Sequence, residues 1–130
     1  MASSATSIAL AAALSLAAVG LPPSAPAASG GGQCFYITQV NGYRAADART
    51  IYARISGRQI WRIDLKSDCE GLPGTSQTMI LEPLVSGSIC GPLDANLSME
   101  THGTRHRCLI GAITRLSADE AASVPANQLP

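Results

Sequence analysis

Four cysteines, Cys34, Cys69, Cys90 and Cys108, all lie behind an uncharged, alanine-rich opening segment, and that arrangement limits what the chain can become. No Asp, Glu, Lys, Arg or His occurs between Met1 and Ala28. The run from Ile8 to Leu21 is apolar apart from Ser15 and Gly20. It suits the core of a signal peptide and falls short of the ~20 residues that cross a bilayer as a helix. Pro22 and Pro23 then stop any helix, because proline lacks a backbone donor and clashes with the preceding turn. Ala25-Pro26-Ala27 supplies the small-x-small pattern of a cleavage site, which predicts a cut after Ala27. The segment departs from the usual pattern in having no Lys or Arg near its start. The expected organisation is a signal peptide over 1–27 and a flexible lead-in over 28–33. A disulfide-stapled domain over 34–124 and a frayed tail over 125–130 complete it. Such a chain is periplasmic or secreted and keeps no stable membrane span after processing. A lipid anchor at Cys34 is disfavoured because Gln33 stands where a small residue is needed.

Four cysteines allow three pairings, and the sequence does not choose among them. None shows C-x-x-C spacing, which argues against a thioredoxin-like redox site and a zinc ribbon. The favoured expectation is a nested pair, Cys34–Cys108 joining the opening and closing strands and Cys69–Cys90 pinning the middle loop. Nine basic and nine acidic groups balance, so charge offers no case for nucleic acid or an anionic membrane surface. About 100 residues would remain after cleavage, enough for one small domain.

Between Cys34 and Leu116 the pattern is strand-like. Residues 34–40 are β-branched and aromatic, and Asn41-Gly42 reads as a turn. The clearest element is an amphipathic hairpin over 50–55 and 60–65. A three-residue loop at Ser56 to Arg58 sets Ala53 opposite Trp61 and Ile51 opposite Ile63, giving one wholly apolar face, and a buried face fixes register. The same register puts Tyr52 opposite Arg62 on the other face, a geometry suited to cation–π contact. Further strands are expected at 77–82, 86–90, 95–100 and 107–115. Ser117-Ala118-Asp119-Glu120 is a capping-box pattern, predicting a helix from Ala118 to about Val124. The expected fold is all-β, a small curved sheet or partly closed barrel of five to seven strands, with a short C-terminal helix and two disulfides.

Several short motifs carry a resemblance: Cys34-Phe35, Gly42-Tyr43-Arg44-Ala45, Arg49-Thr50-Ile51-Tyr52, Asp64-Leu65, Cys69-Glu70-Gly71-Leu72, Ile89-Cys90, Arg107-Cys108 and Leu116-Ser117-Ala118-Asp119-Glu120. In this order they resemble an uncharacterised family of small exported, four-cysteine bacterial proteins. Glu70 stands where members often carry proline. The resemblance implies an exported, disulfide-bonded domain of unassigned function and brings no catalytic residues.

His102 and His106 are four apart, but Gly103 and the β-leaning surroundings favour a hairpin loop over a helical zinc site. Ser86-Gly87-Ser88 lacks the G-x-S-x-G elbow and an evident base. Asp64, Asp68, Glu70 and Glu82 could bracket a cleft, yet scattered carboxylates on polar strand faces are usually solvated. Asn96-Leu97-Ser98 matches a glycosylation acceptor that carries little weight in a bacterial chain. No phosphate-binding or dinucleotide fingerprint occurs. The expectation is therefore no catalytic residue, no cofactor and no metal. The candidate binding patch is Tyr52, Arg54 and Arg62 on the outer face of the hairpin, with Tyr43 and Arg44 nearby; Arg and Tyr anchor many interfaces. The leading functional expectation is a non-enzymatic exported structural or binding module of the cell envelope, its partner an envelope protein or glycan. The alternative is a small hydrolase, or an inhibitor of one, working from the loops near Cys69 and Cys90.

Overall fold

The computed structural model describes residues 33–74 and 78–130. The expected signal peptide, its cleavage site at Ala27 and nearly all of the lead-in lie outside the described residues. The described residues are mostly β, with nine strands among them: β1 (Phe35–Tyr36), β2 (Val40–Ala45), β3 (Thr50–Ile55), β4 (Gln59–Leu65), β5 (Thr78–Pro83), β6 (Ser88–Ile89), β7 (Ala95–Thr101), β8 (Thr104–Cys108) and β9 (Ile110–Arg115). A helix, α1 (Ala118–Ser123), follows, and 3-10 turns occupy Ile37–Gln39 and Ala126–Gln128. The strands form three sheets, ordered β1-β6, β2-β3-β4-β9 and β5-β7-β8. None is closed, and the mostly β architecture with a C-terminal helix and two disulfides agrees with the sequence expectation.

The β3–β4 hairpin has the expected register, with Ala53 opposite Trp61, Ile51 opposite Ile63 and Tyr52 opposite Arg62. Its turn needs two left-handed residues, Ser56 at φ 50° and Gly57 at φ 77°, and glycine takes that conformation without steric cost. Asn41-Gly42, read as a turn, is instead a β-bulge inside β2, where the register against β3 shifts between Val40 and Gly42. The bulged Asn41 uses its side-chain oxygen to accept the Gly57 N–H at 2.6 Å, so it holds the neighbouring hairpin turn. The real reversal comes earlier: residues 37–39 make a 3-10 turn that splits the predicted strand 34–40. The predicted strand 107–115 is also divided, since β8 and β9 belong to different sheets and only Leu109 separates them.

That one-residue corner joins two of the sheets on one side. On the other side the Tyr43 hydroxyl accepts the Met79 N–H at 2.6 Å, linking the outermost strands β2 and β5. The sheets thus enclose a common core whose most buried large side chains are Phe35, Ile51, Ile55, Ile63, Ile89, Leu97 and Met99. Burying one such side chain contributes roughly 1.5–3 kcal/mol. Phe35 meets Trp61 edge-on at 4.9 Å between ring centres, the geometry that aromatic quadrupoles favour.

The disulfides correct the nested expectation: Cys34 pairs with Cys90, and Cys69 with Cys108. The cause lies in strand pairing. β1 and β6 run antiparallel with Phe35 opposite Ile89, so the residues just outside that pair, Cys34 and Cys90, face each other. Cys69 follows β4 and Cys108 precedes β9, and these strands are neighbours, with the Lys66 N–H bonded to the Leu109 carbonyl at 2.8 Å. The opening strand pairs with β6 and not with a closing strand, as the nested pairing would have required.

Candidate functional site

The outer face of the four-stranded sheet carries the residues singled out as a patch. Strand alternation puts Arg44, Tyr52 and Arg62 in one row across β2, β3 and β4, with Gly42, Arg54 and Ile60 in the next. Only part of this face is open to solvent. Tyr52 is only 8 % exposed and Arg54 is half-buried. The reason is the segment after α1, expected to fray. It turns back over β2 and β3, where Arg44 Nη1 donates to the Asn127 carbonyl at 2.9 Å. Arg54 donates from Nε to the Pro130 oxygen at 3.0 Å and from Nη2 to the same oxygen. Gly42 sits beneath Pro130 so closely that a Cβ there would lie 3.6 Å from the Pro130 Cβ. Arg54 of the expected patch, and Arg44 beside it, are therefore taken up in holding this chain's own tail.

Arg62 alone of the three stays open, and it turns along its own strand. Its Nε donates to Asp64 Oδ1 at 2.8 Å. That hydrogen bond raises the Arg62 pKa above the usual arginine value, with burial opposing it and the Asp64 charge adding to it. Arg62 and Asp64 form one wall of an open cleft of about 520 Å³, whose other walls are the β2–β3 loop and the segment after β4. The two segments are stitched together: the Leu65 N–H bonds the Arg49 carbonyl at 2.8 Å and the Cys69 N–H bonds the Ala48 carbonyl at 2.9 Å. Asp47 turns its carboxylate back onto the Arg49 N–H at 2.7 Å, an Asx turn of the kind short acidic side chains favour. The Arg49 guanidinium donates to the Lys66 carbonyl at 3.0 Å and lies 3.8 Å from Asp68. Three carboxylates and two guanidinium groups thus line one cleft.

Of the carboxylates weighed from the sequence, Asp64 and Asp68 both line this cleft. Glu70 lies 3.5 Å from His106 Nδ1, and Glu82 is on β5 in another sheet. His102 sits with Gly103 in the tight β7–β8 turn, both at positive φ. Among the described residues no group of three or more His, Cys, Asp or Glu could hold a metal ion. Ser86 and Gly87 make a turn before β6, and Asn96 lies within β7. Tyr43 and Arg44 contribute instead to a second cleft of about 620 Å³, against Leu72, Pro73 and Met99. Asp47 and Arg49 were missed in the sequence because neither is in a periodic element. The signal for them was the Asp-Ala-Arg run just before the hairpin, which reads only as a loop until the segment after β4 is laid beside it.

A family model described as a family of unknown function, DUF6491, matches residues 1–128. No curated protein and no solved structure matches the chain.

Proposed function

The chain belongs to this family of unknown function, and from that premise we propose that it is an exported, non-enzymatic binding module of the cell envelope. It works in the periplasm or after secretion, processed after Ala27, and presents its charged cleft to an envelope protein or glycan. The observation that supports this reading is the gathering of Asp47, Arg49, Arg62, Asp64 and Asp68 around one open cleft. Carboxylates accept hydrogen bonds and guanidinium groups donate them in a fixed planar fork. A hydroxyl-rich or zwitterionic surface, which does both, is complementary to such a wall; a uniformly charged one is not. The stitched loops and the adjoining Cys69–Cys108 bridge keep the groups placed before binding, which lowers the ordering cost of association.

The experiment is crosslinking of the chain in its native envelope, comparing wild type with an Arg49→Glu, Arg62→Glu double variant. Loss of the crosslinked partner at unchanged thermal unfolding is expected, and undiminished crosslinking would overturn the role of the cleft. A broad hydrolase screen addresses the non-enzymatic part. Saturable turnover that disappears on changing Asp64 or Asp68 would replace the binding module with an enzyme.

A further inference from the structure

At the other end of β3 and β4, on the inner face of the same sheet, a smaller pocket of about 270 Å³ opens beside the core. Its chemistry differs from that of the charged cleft. The polar side chains around it are Gln33, Gln39, Ser56, Gln59 and Arg115, with Trp61 and Phe35 beneath, and no carboxylate lines it. Arg115 stands directly opposite Trp61 across the β4–β9 ladder, hence on the same face. Gln33 is held there because its neighbour Cys34 is bridged to Cys90.

The hydrogen-bond inventory is lopsided. Gln33 Oε1 accepts from Arg115 Nη1 at 3.0 Å, and Gln39 Oε1 accepts the Tyr36 N–H at 2.8 Å. Both donors lack any acceptor function, which fixes the orientation of the two amides. The oxygens of Gln33 and Gln39 are therefore engaged and their NH₂ ends remain, while Gln59 and Ser56 offer both a donor and an acceptor. Arg115 has no carboxylate within ion-pair distance among the described residues. Below them the Trp61 indole N–H is buried without an acceptor, in a side chain only 2 % exposed. Donors outnumber acceptors, and the one fixed charge is positive.

We infer that this pocket binds a small hydroxylated carboxylate of monosaccharide size, such as a sugar acid. Arg115 receives the carboxylate, and the glutamine amides donate to its hydroxyl oxygens. The volume lies just below the roughly 300–1,000 Å³ of ordinary small-molecule sites, which suits one sugar ring. The site is independent of the charged cleft, so either reading can fail without the other.

The chain has a single tryptophan, and it forms the floor of this pocket, so its fluorescence reports occupancy directly. The purified full-length chain is titrated with D-glucuronate, D-glucose and sodium chloride at matched ionic strength. Glucuronate is expected to give a saturable change in emission, glucose to bind at least about tenfold more weakly, and salt to give none. Arg115→Gln should weaken glucuronate by at least about tenfold, the loss expected of a charge-assisted contact. Gln59→Glu, which sets a carboxylate against the ligand, should abolish binding. Arg107→Gln, on β8 in another sheet, should bind as wild type. No saturable change with glucuronate at tens of millimolar, equal binding of glucose, or wild-type affinity in both pocket variants would each overturn the assignment.

Discussion

Arg54 and Arg62 lie on the same face of one hairpin, yet they differ in what surrounds the guanidinium. Arg62 meets Asp64 at 2.8 Å, but the two side chains are 45 % and 35 % exposed. Solvent screens such a pair, and its contribution is less than about 1 kcal/mol however good the geometry. Arg54 is half-buried and gives two donors to the Pro130 oxygen, so its removal breaks charge-assisted bonds that hold the tail. Arg54→Ala is expected to lower unfolding stability by about 1.5–3 kcal/mol and Arg62→Ala by less than about 1 kcal/mol, as read from urea midpoints. Equal losses would show that the tail contact is worth no more than the surface pair. The pH dependence follows from the raised pKa of Arg62. Stabilisation through a raised cationic pKa is complete below the ordinary arginine value and is lost only as pH climbs through the raised one. Arg62→Ala should therefore leave the shape of the stability curve unchanged between about pH 5 and 9.

Single elements were legible in the sequence where the determinants are close together. The β3–β4 register follows from alternation within sixteen residues and from the requirement that one face be apolar. The start of α1 is equally local: Glu120 N–H bonds Ser117 Oγ at 3.1 Å and Ser117 N–H bonds Glu120 Oε2 at 2.7 Å, the capping box read from four residues. α1 has six residues and buries none of them, so its ends matter more than its faces. Ser117→Ala is expected to cost about 1 kcal/mol in urea unfolding; no measurable change would mean that the helix is held by the tail alone. The disulfide pairing was not legible, because it follows from a two-residue ladder between β1 and β6, far too short to leave a periodic signal. The covering of Tyr52 and Arg54 was hidden for a related reason. The tail that covers them has no alternation, and its grip is through main-chain oxygens of Asn127 and Pro130 that no side-chain pattern announces. The glutamine-lined pocket likewise draws on positions 33, 39, 59 and 115, which only the fold brings together. A Cys34→Ser, Cys90→Ser variant tests the pairing at this scale. It should keep one intact bridge, Cys69–Cys108, on non-reducing peptide mapping, and lose about 2–4 kcal/mol of stability. Scrambled bridges in the wild-type map would contradict the β1–β6 register.

At the scale of the whole molecule, the two bridges hold together a fold whose sheets do not close. They span 56 and 39 residues and interlace, since Cys69 lies inside the first loop and Cys108 outside it. In the chain-entropy model each contributes about 4 kcal/mol. The loops share residues 69–90, so closing the second in an already bridged chain constrains less than closing it alone, and the sum is an upper bound. Domains of this size have only about 5–15 kcal/mol of stability in total. The bridges are thus of the same order as the whole margin, and the fold should depend on an oxidising compartment. Reduction is expected to unfold the chain or to drop its urea midpoint by more than half. The single tryptophan makes this visible: Trp61 is buried now, and its emission should shift to the red as thiols are freed. Loss of near-UV circular dichroism should follow the same course. A reduced chain that keeps its emission maximum and midpoint would place the stability in the core alone. It would also remove the physical reason for reading the uncharged leader and the four cysteines as parts of one adaptation to life outside the cytoplasm.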